Sequence, residues 1–221
     1  MPPTLKLIVV GDSSVGKTSL LIRFETGKFP EHFPLSAYAL LEEKRMPRAG
    51  VNIMAYAHLV FTTTYSVTHI VDGEPYIVQL WDTPGDAEYD RLRPLAYPQT
   101  DVFIMCFSVV DPDSYEDVRT KWSQETAYHN PSSPVLLVGT KTDLRKDSEL
   151  RDRLREMNAS PIQFPQGLAM RKDIGAAAYI ECSALTGYGV QSVFEKAMLL
   201  AARPPPTMRM IHQSRKSCVI V

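Results

Sequence analysis

Gly11-Asp12-Ser13-Ser14-Val15-Gly16-Lys17-Thr18 fits the spacing G-x-x-x-x-G-K-[ST], a pattern suited to holding phosphate. Its glycines let backbone N–H groups curl around phosphate oxygens at a helix N-terminus, where the helix dipole favours an anion. Lys17 reaches for the β- and γ-phosphates, and Thr18 offers a hydroxyl to Mg²⁺. Such a loop takes a nucleoside triphosphate without choosing its base. The base is read further along. Gly139-Thr140-Lys141-Thr142-Asp143 follows the apolar run 135–138. A carboxylate there can accept both the N1–H and the N2–H₂ of guanine, a pairing adenine cannot offer. Lys141 can lie along the ring and tie back to the phosphate loop. Glu181-Cys182-Ser183-Ala184-Leu185 places backbone N–H groups near a guanine carbonyl. Asp143 alone would read as a helix cap; the three pieces in this order specify a guanine nucleotide and argue against a P-loop ATPase or kinase.

These residues need strand ends and helix starts to hold them. Leu5–Val10 reads as a buried strand stopped at Gly11, with a helix over residues 17–25. Further strands read at 77–81, 102–107, 135–138 and 178–180, with helical patterns over 114–129 and 187–202. Strands alternating with helices predict an α/β fold with a mostly parallel sheet and helices on both faces, the P-loop NTPase architecture. Asp72-Gly73 between two apolar segments is a hairpin signal that adds an antiparallel edge strand. Arg203-Pro-Pro-Pro206 marks the boundary of a stiff tail.

The 221 residues are 44% hydrophobic and 22% charged, enough for one domain with a real core. Twenty-four basic against 25 acidic residues leave a net charge of −1, which excludes a whole-chain footprint for nucleic acid. Cys106, Cys182 and Cys218 make an odd, scattered set that suits a reducing compartment. The opening Met-Pro-Pro-Thr predicts no secretory leader and, with Pro2, no N-myristoylation. The expected location is cytoplasmic, with any membrane contact at the C-terminus. The five histidines show no metal-ligand spacing. Residues 145–155 read as a charged amphipathic helix with a solvated face.

The chain resembles a Rho-family small GTPase of the Ras superfamily, with Rac-like members the nearest match. Carrying the resemblance are Tyr89-Asp-Arg-Leu-Arg-Pro94, Met105-Cys-Phe-Ser108, Val138-Gly-Thr-Lys141, Pro165-Gln-Gly-Leu-Ala-Met170, Glu181-Cys-Ser-Ala-Leu185 and Cys218-Val-Ile-Val221. Residues 145–157 match the length of the Rho insert helix. The resemblance implies a six-stranded small-GTPase domain over 1–203 and a hypervariable tail over 204–221. It implies GTP/GDP and Mg²⁺ as ligands, bound by residues 11–19, Ser19 included, by Phe29 against the base, and by Asp82, Gly85, Thr140, Lys141, Asp143, Leu144, Ser183, Ala184 and Leu185. Asp82 would hold Mg²⁺ through water, and the Gly85 N–H would sense the γ-phosphate. Lys17 and the position of Asp86 would serve hydrolysis. Exchange factors, GAPs, GDI and effectors of the actin cytoskeleton are the implied partners, and a switch with two phosphate-ordered loops is the implied role.

Three departures limit that transfer. Asp82-Thr83-Pro84-Gly85-Asp86 carries Asp86 where the family has the glutamine that orients the attacking water. A carboxylate ~5 Å from the γ-phosphate costs about 3 kcal/mol at an effective dielectric of ~20, so slow hydrolysis is expected. Ser13 stands where most Rho proteins have glycine, and a side chain there can crowd an arginine finger, although Rab proteins resemble this chain in Asp-Ser-Ser-Val-Gly-Lys-Thr and still hydrolyse GTP. Finally, Tyr65 comes 32 positions after Phe33, far beyond the family's short effector loop, which places an atypical insertion within about 34–64. Counting back from Tyr65, the magnesium-binding threonine falls on Val60, which leaves Thr62 as the nearest substitute. The segment is either an evolved feature or a processing variant. The alternative to a working switch is a non-switching guanine-nucleotide-binding or nucleotide-free scaffold.

Cys218-Val-Ile-Val221 fits C-a-a-X, making Cys218 the expected prenylation site. One lipid chain with Arg209, Arg215 and Lys216 nearby predicts reversible anchoring on the cytoplasmic face of the plasma membrane or endomembranes.

Overall fold

A computed structural model describes residues 2–30 and 63–203. The expectations for Thr62, most of the 34–64 insertion, and the tail with Cys218 lie outside these residues. The described chain forms β1 (Thr4–Val10), α1 (Lys17–Thr26), β2 (Thr63–Val71), β3 (Glu74–Asp82), β4 (Val102–Ser108), α2, β5 (Val135–Thr140), α3 (Ser148–Glu156), α4 (Phe164–Asp173), β6 (Ala178–Glu181) and α5 (Val190–Ala202). Helix α2 runs as Pro112–Asp117, a π turn at Val118–Trp122, and Ser123–His129. Short 3₁₀ turns stand at Ala87–Tyr89, Arg93–Ala96 and Thr142–Lys146.

The strands pair in the order β2-β3-β1-β4-β5-β6. All neighbours are parallel except β2 and β3. That exception follows from the Asp72-Gly73 turn, where both residues take positive φ (52° and 85°), as a two-residue hairpin loop requires. The central strands are near-continuous apolar runs because helices cover both faces; β4 is buried along its whole length. One apolar layer joins Leu7, Val9, Leu20, Leu80, Ile104 and Phe194 beneath α1 and α5. The other joins Ile8, Phe103, Phe107, Trp122, Leu137 and Tyr179 beneath α2 and α4. Among the described residues no helix is long and apolar enough to cross a membrane.

Several boundaries differ from the sequence expectation. The last helix begins at Val190 and not at 187, because Gly187 and Gly189 both take left-handed backbone before it. At the far end of the segment read as inserted, Thr63 and Thr64 already pair with Asp82 and Trp81 in the sheet. Residues 145–157 divide into a 3₁₀ turn and then α3, which Asp147 caps by accepting from the Leu150 N–H at 2.9 Å. Arg145 does not lie on a solvated face. Its guanidinium grips both Glu181 carboxylate oxygens (2.8 and 2.6 Å), and its Nε donates to the Ile162 carbonyl.

Candidate functional site

The predicted phosphate loop joins β1 to α1. Gly11 has φ +139°, and a Cβ on it would stand 2.2 Å from the Cys106 carbonyl oxygen; only glycine lets the loop leave the sheet there. Among the described residues, no acceptor meets the backbone N–H groups of residues 13–19. A row of unpaired amides at the start of a helix is an anion-binding arrangement. Lys17 is buried, and its ammonium donates to the Gly11 and Asp12 carbonyls at 2.8 and 2.6 Å. Burial pushes its pKa down, against the nearby carboxylate of Asp82. A phosphate would give this desolvated cation a counter-charge. Ser13 and Ser14 are exposed, while Val15 and Ser19 are buried beneath the loop.

Two oxygens suited to a hard cation sit side by side. The Thr18 hydroxyl donates to Asp82 Oδ2 at 2.5 Å, whereas Asp82 Oδ1 is buried with no hydrogen-bond partner. Burial raises the Asp82 pKa, opposed by the Thr18 hydrogen bond and Lys17. A buried carboxylate oxygen without a donor, next to a hydroxyl, fits Mg²⁺, which typically takes one or two protein oxygens and completes its shell with phosphates and water. No cluster of three or more His, Cys, Asp or Glu side chains offers an all-protein metal cage among the described residues.

The end of β3 turns directly over the loop. The Thr83 hydroxyl donates to the Val9 carbonyl at 2.6 Å. Gly85 lies so close that a Cβ would stand 2.2 Å from the Ser13 nitrogen. Asp86, by contrast, is exposed at the start of the next 3₁₀ turn, with no hydrogen bond from its side chain among the described residues.

The two stretches expected to read the base are brought together by β5 and β6. Cys182 N–H donates to the Gly139 carbonyl, and Thr142 N–H donates to the Cys182 carbonyl. Lys141 takes left-handed backbone, and its Cε comes within 3.9 Å of the Cβ position of Gly16, alongside the phosphate loop. Burial lowers the Lys141 pKa, opposed by Asp111 and Asp143. Asp143 and Leu144 are half-buried on the 3₁₀ turn. Ser183 is buried, with its Oγ accepting from the Thr186 N–H; Ala184 is half-buried and Leu185 exposed. The Thr140 hydroxyl turns inward, donating to the carbonyls of Val15 and Phe107, so it braces the phosphate loop from the side of the base-reading strand. Phe29 follows α1 and is half-buried.

A second bracing system has no counterpart in the sequence reading. Trp122, in the π turn of α2, donates from Nε1 to Asp12 Oδ1 at 2.9 Å. Arg93 lies over its ring, 4.3 Å from the centroid, and is itself 1% exposed. The Arg93 guanidinium donates to both Glu125 oxygens (2.9 and 2.6 Å), to Asp90 (2.7 Å) and to the Pro84 carbonyl (3.0 Å). Burial alone would lower its pKa, but Glu125 and Asp90 outweigh that and raise it. Tyr97 donates to the same Glu125. The network thus ties the phosphate loop and the strand end before Gly85 to one helix. Asp12 and Trp122 are 110 residues apart, beyond the reach of any local pattern.

The family model described as Ras family matches residues 6–49 and 54–202. The break at 50–53 falls inside the segment expected to hold the insertion.

Proposed function

The chain belongs to the Ras family of small GTPases, and on that premise we propose that it is a Rho/Rac-like GTP-binding switch with weakened hydrolysis, acting on regulators of the actin cytoskeleton. Ras-family proteins bind GTP and GDP with Mg²⁺. The observation that carries the reading is the convergence of three parts on one rim: the unpaired amides of residues 13–19, the Thr18–Asp82 oxygen pair, and Lys141-Thr142-Asp143 bonded to Cys182. In this proposal the phosphate loop and Lys17 hold the phosphates, while Asp143 and the backbone at Ser183-Ala184 read guanine. Thr18 and Asp82 hold Mg²⁺, which would neutralise charge between the β- and γ-phosphates when bound. The tail would anchor the protein to membrane through a prenyl group on Cys218, and exchange factors, GAPs and GDI would govern it.

The test is the nucleotide carried by the natively purified protein in Mg²⁺ buffer, released by denaturation and separated by chromatography. Stoichiometric guanine nucleotide with GTP in excess of GDP is the expected result. Mostly GDP would remove the hydrolysis defect from the proposal. An empty but folded protein would overturn the switch and leave a scaffold.

The weakness of hydrolysis is assigned to Asp86, whose charge faces solvent and which has no amide to offer a transition-state oxygen. Because the Asp86 side chain makes no hydrogen bond among the described residues and its carbonyl bond to the Tyr89 N–H is kept, Asp86→Gln removes the repulsion without a structural loss. Lowering the barrier by about 3 kcal/mol should speed single-turnover GTP hydrolysis about 100-fold, measured with a GAP domain present. An unchanged rate would place the limit in the first switch segment.

A further inference from the structure

Away from the nucleotide rim, the 3₁₀ turn, α3 and the chain leading from α3 into α4 border a surface hollow of about 350 Å³, open to solvent on one side. Arg145, Lys146, Arg151 and Arg155 line it, together with Ser160 and Gln163, and no Asp or Glu is among its lining residues. Four cations thus border one hollow on a chain whose net charge is −1, and two of them, Lys146 and Arg151, carry its uncompensated charge. The carboxylates nearby are engaged elsewhere. Asp147 caps α3, Glu149 pairs with Arg153, and Glu181 holds Arg145 from the protein side. Arg155 pairs with Asp152 on the helix surface. Lys146 and Arg151 have no ion-pair partner among the described residues.

Folding uses Arg145 through Glu181 and Ile162, but no ion pair of the described fold uses Lys146 or Arg151. Arg151 and Arg155 stand one turn apart on α3, where like charges destabilise a helix. The Arg145 fork is already fixed by Glu181 and the Ile162 carbonyl, so little of its freedom remains to be lost on binding. The volume lies within the range of small-ligand sites, about 300–1,000 Å³. We propose that this hollow binds a compact polyanion bearing two or more phosphate groups, with Lys146 and Arg151 as its principal charge partners. The ligand would be either a soluble polyphosphate or the phosphorylated headgroup of a lipid. Guanidinium groups suit phosphate because they offer paired N–H donors to its oxygens.

The experiment uses the full chain with GDP and Mg²⁺ in the buffer, so that the phosphate loop is supplied with its own ligand. Inositol trisphosphate, and inorganic phosphate for comparison, are titrated while backbone amide resonances are followed. The expected result is saturable movement of resonances within 145–163, tighter for the trisphosphate than for phosphate. Lys146→Glu/Arg151→Glu should weaken it at least tenfold, while Lys172→Glu, on the exposed part of α4, leaves it unchanged. Shifts confined to residues 11–19, or an affinity indifferent to the double variant, would overturn the proposal. Co-sedimentation with phosphatidylcholine vesicles, with and without phosphatidylinositol bisphosphate, separates the two sources. Capture that needs the phosphorylated lipid and is lost in the double variant assigns a headgroup. Binding of the free trisphosphate without such capture assigns a soluble ligand. GDP retention in the same samples reports on the nucleotide site independently.

Discussion

Asp143→Ala should lower the preference for GTP over ATP by about 10²–10⁴-fold, since it removes two hydrogen bonds to a charged acceptor worth about 1.5–3 kcal/mol each. The loss should be confined to binding. Asp143 is half-buried, and its carboxylate accepts no hydrogen bond from any described residue. Truncating it therefore costs the apo fold little, within about 0.5 kcal/mol for such a surface change. Competition of labelled GDP by GTP and by ATP measures the selectivity, and a thermal melt without nucleotide measures the fold. A variant that still rejects ATP would move base recognition to another group. A variant that melts early would make Asp143 structural, contrary to its open contacts.

That separation between a residue's chemistry and its structural work explains what the sequence could disclose. The phosphate loop was legible because its signal is contiguous: β1, two glycines, Lys17-Thr18 and α1 follow without interruption. The Asp72-Gly73 hairpin was legible for the same reason, its turn chemistry being local. Helix α4 went unread as an element although Pro165–Met170 carried part of the family resemblance. Its apolar residues do not gather on one stripe, and it buries only Gly167 and Met170, so periodicity had little to report. Arg145 stands in a run of charges that reads as solvated, because Glu181, which holds it, comes 36 residues later. The Asp12–Trp122 contact and the Arg93 cluster depend on tertiary placement alone. Trp122 reaches Asp12 from the π turn, and such turns often occur at functional sites.

The Arg93 cluster yields the second large expectation. Arg93→Ala should destabilise the protein by about 3–5 kcal/mol, because truncating one partner of a buried ion pair leaves the other charge uncompensated. For a chain of this size that is roughly a 6–20 °C fall in melting temperature. Three groups each lose a donor at once: the Glu125 carboxylate, left with Tyr97; Asp90, left with Lys121; and the Pro84 carbonyl. The last of these matters to function, because Pro84 precedes Gly85, which rests on the Ser13 backbone. Releasing that strand end should also speed nucleotide dissociation, measured with a fluorescent GDP analogue at a temperature where the variant remains folded. Glu125→Gln keeps the shape of the partner and removes its charge, so it should show the same two effects in smaller measure. Adding Arg93→Ala to Glu125→Gln should cost less than the sum of the singles, since both break one interaction. If the two losses simply add, Arg93 acts through Pro84 and Trp122 without Glu125. If Arg93→Ala melts within about 1 kcal/mol of the parent, well below the cost of breaking a buried pair, the cluster does not hold the strand end in place.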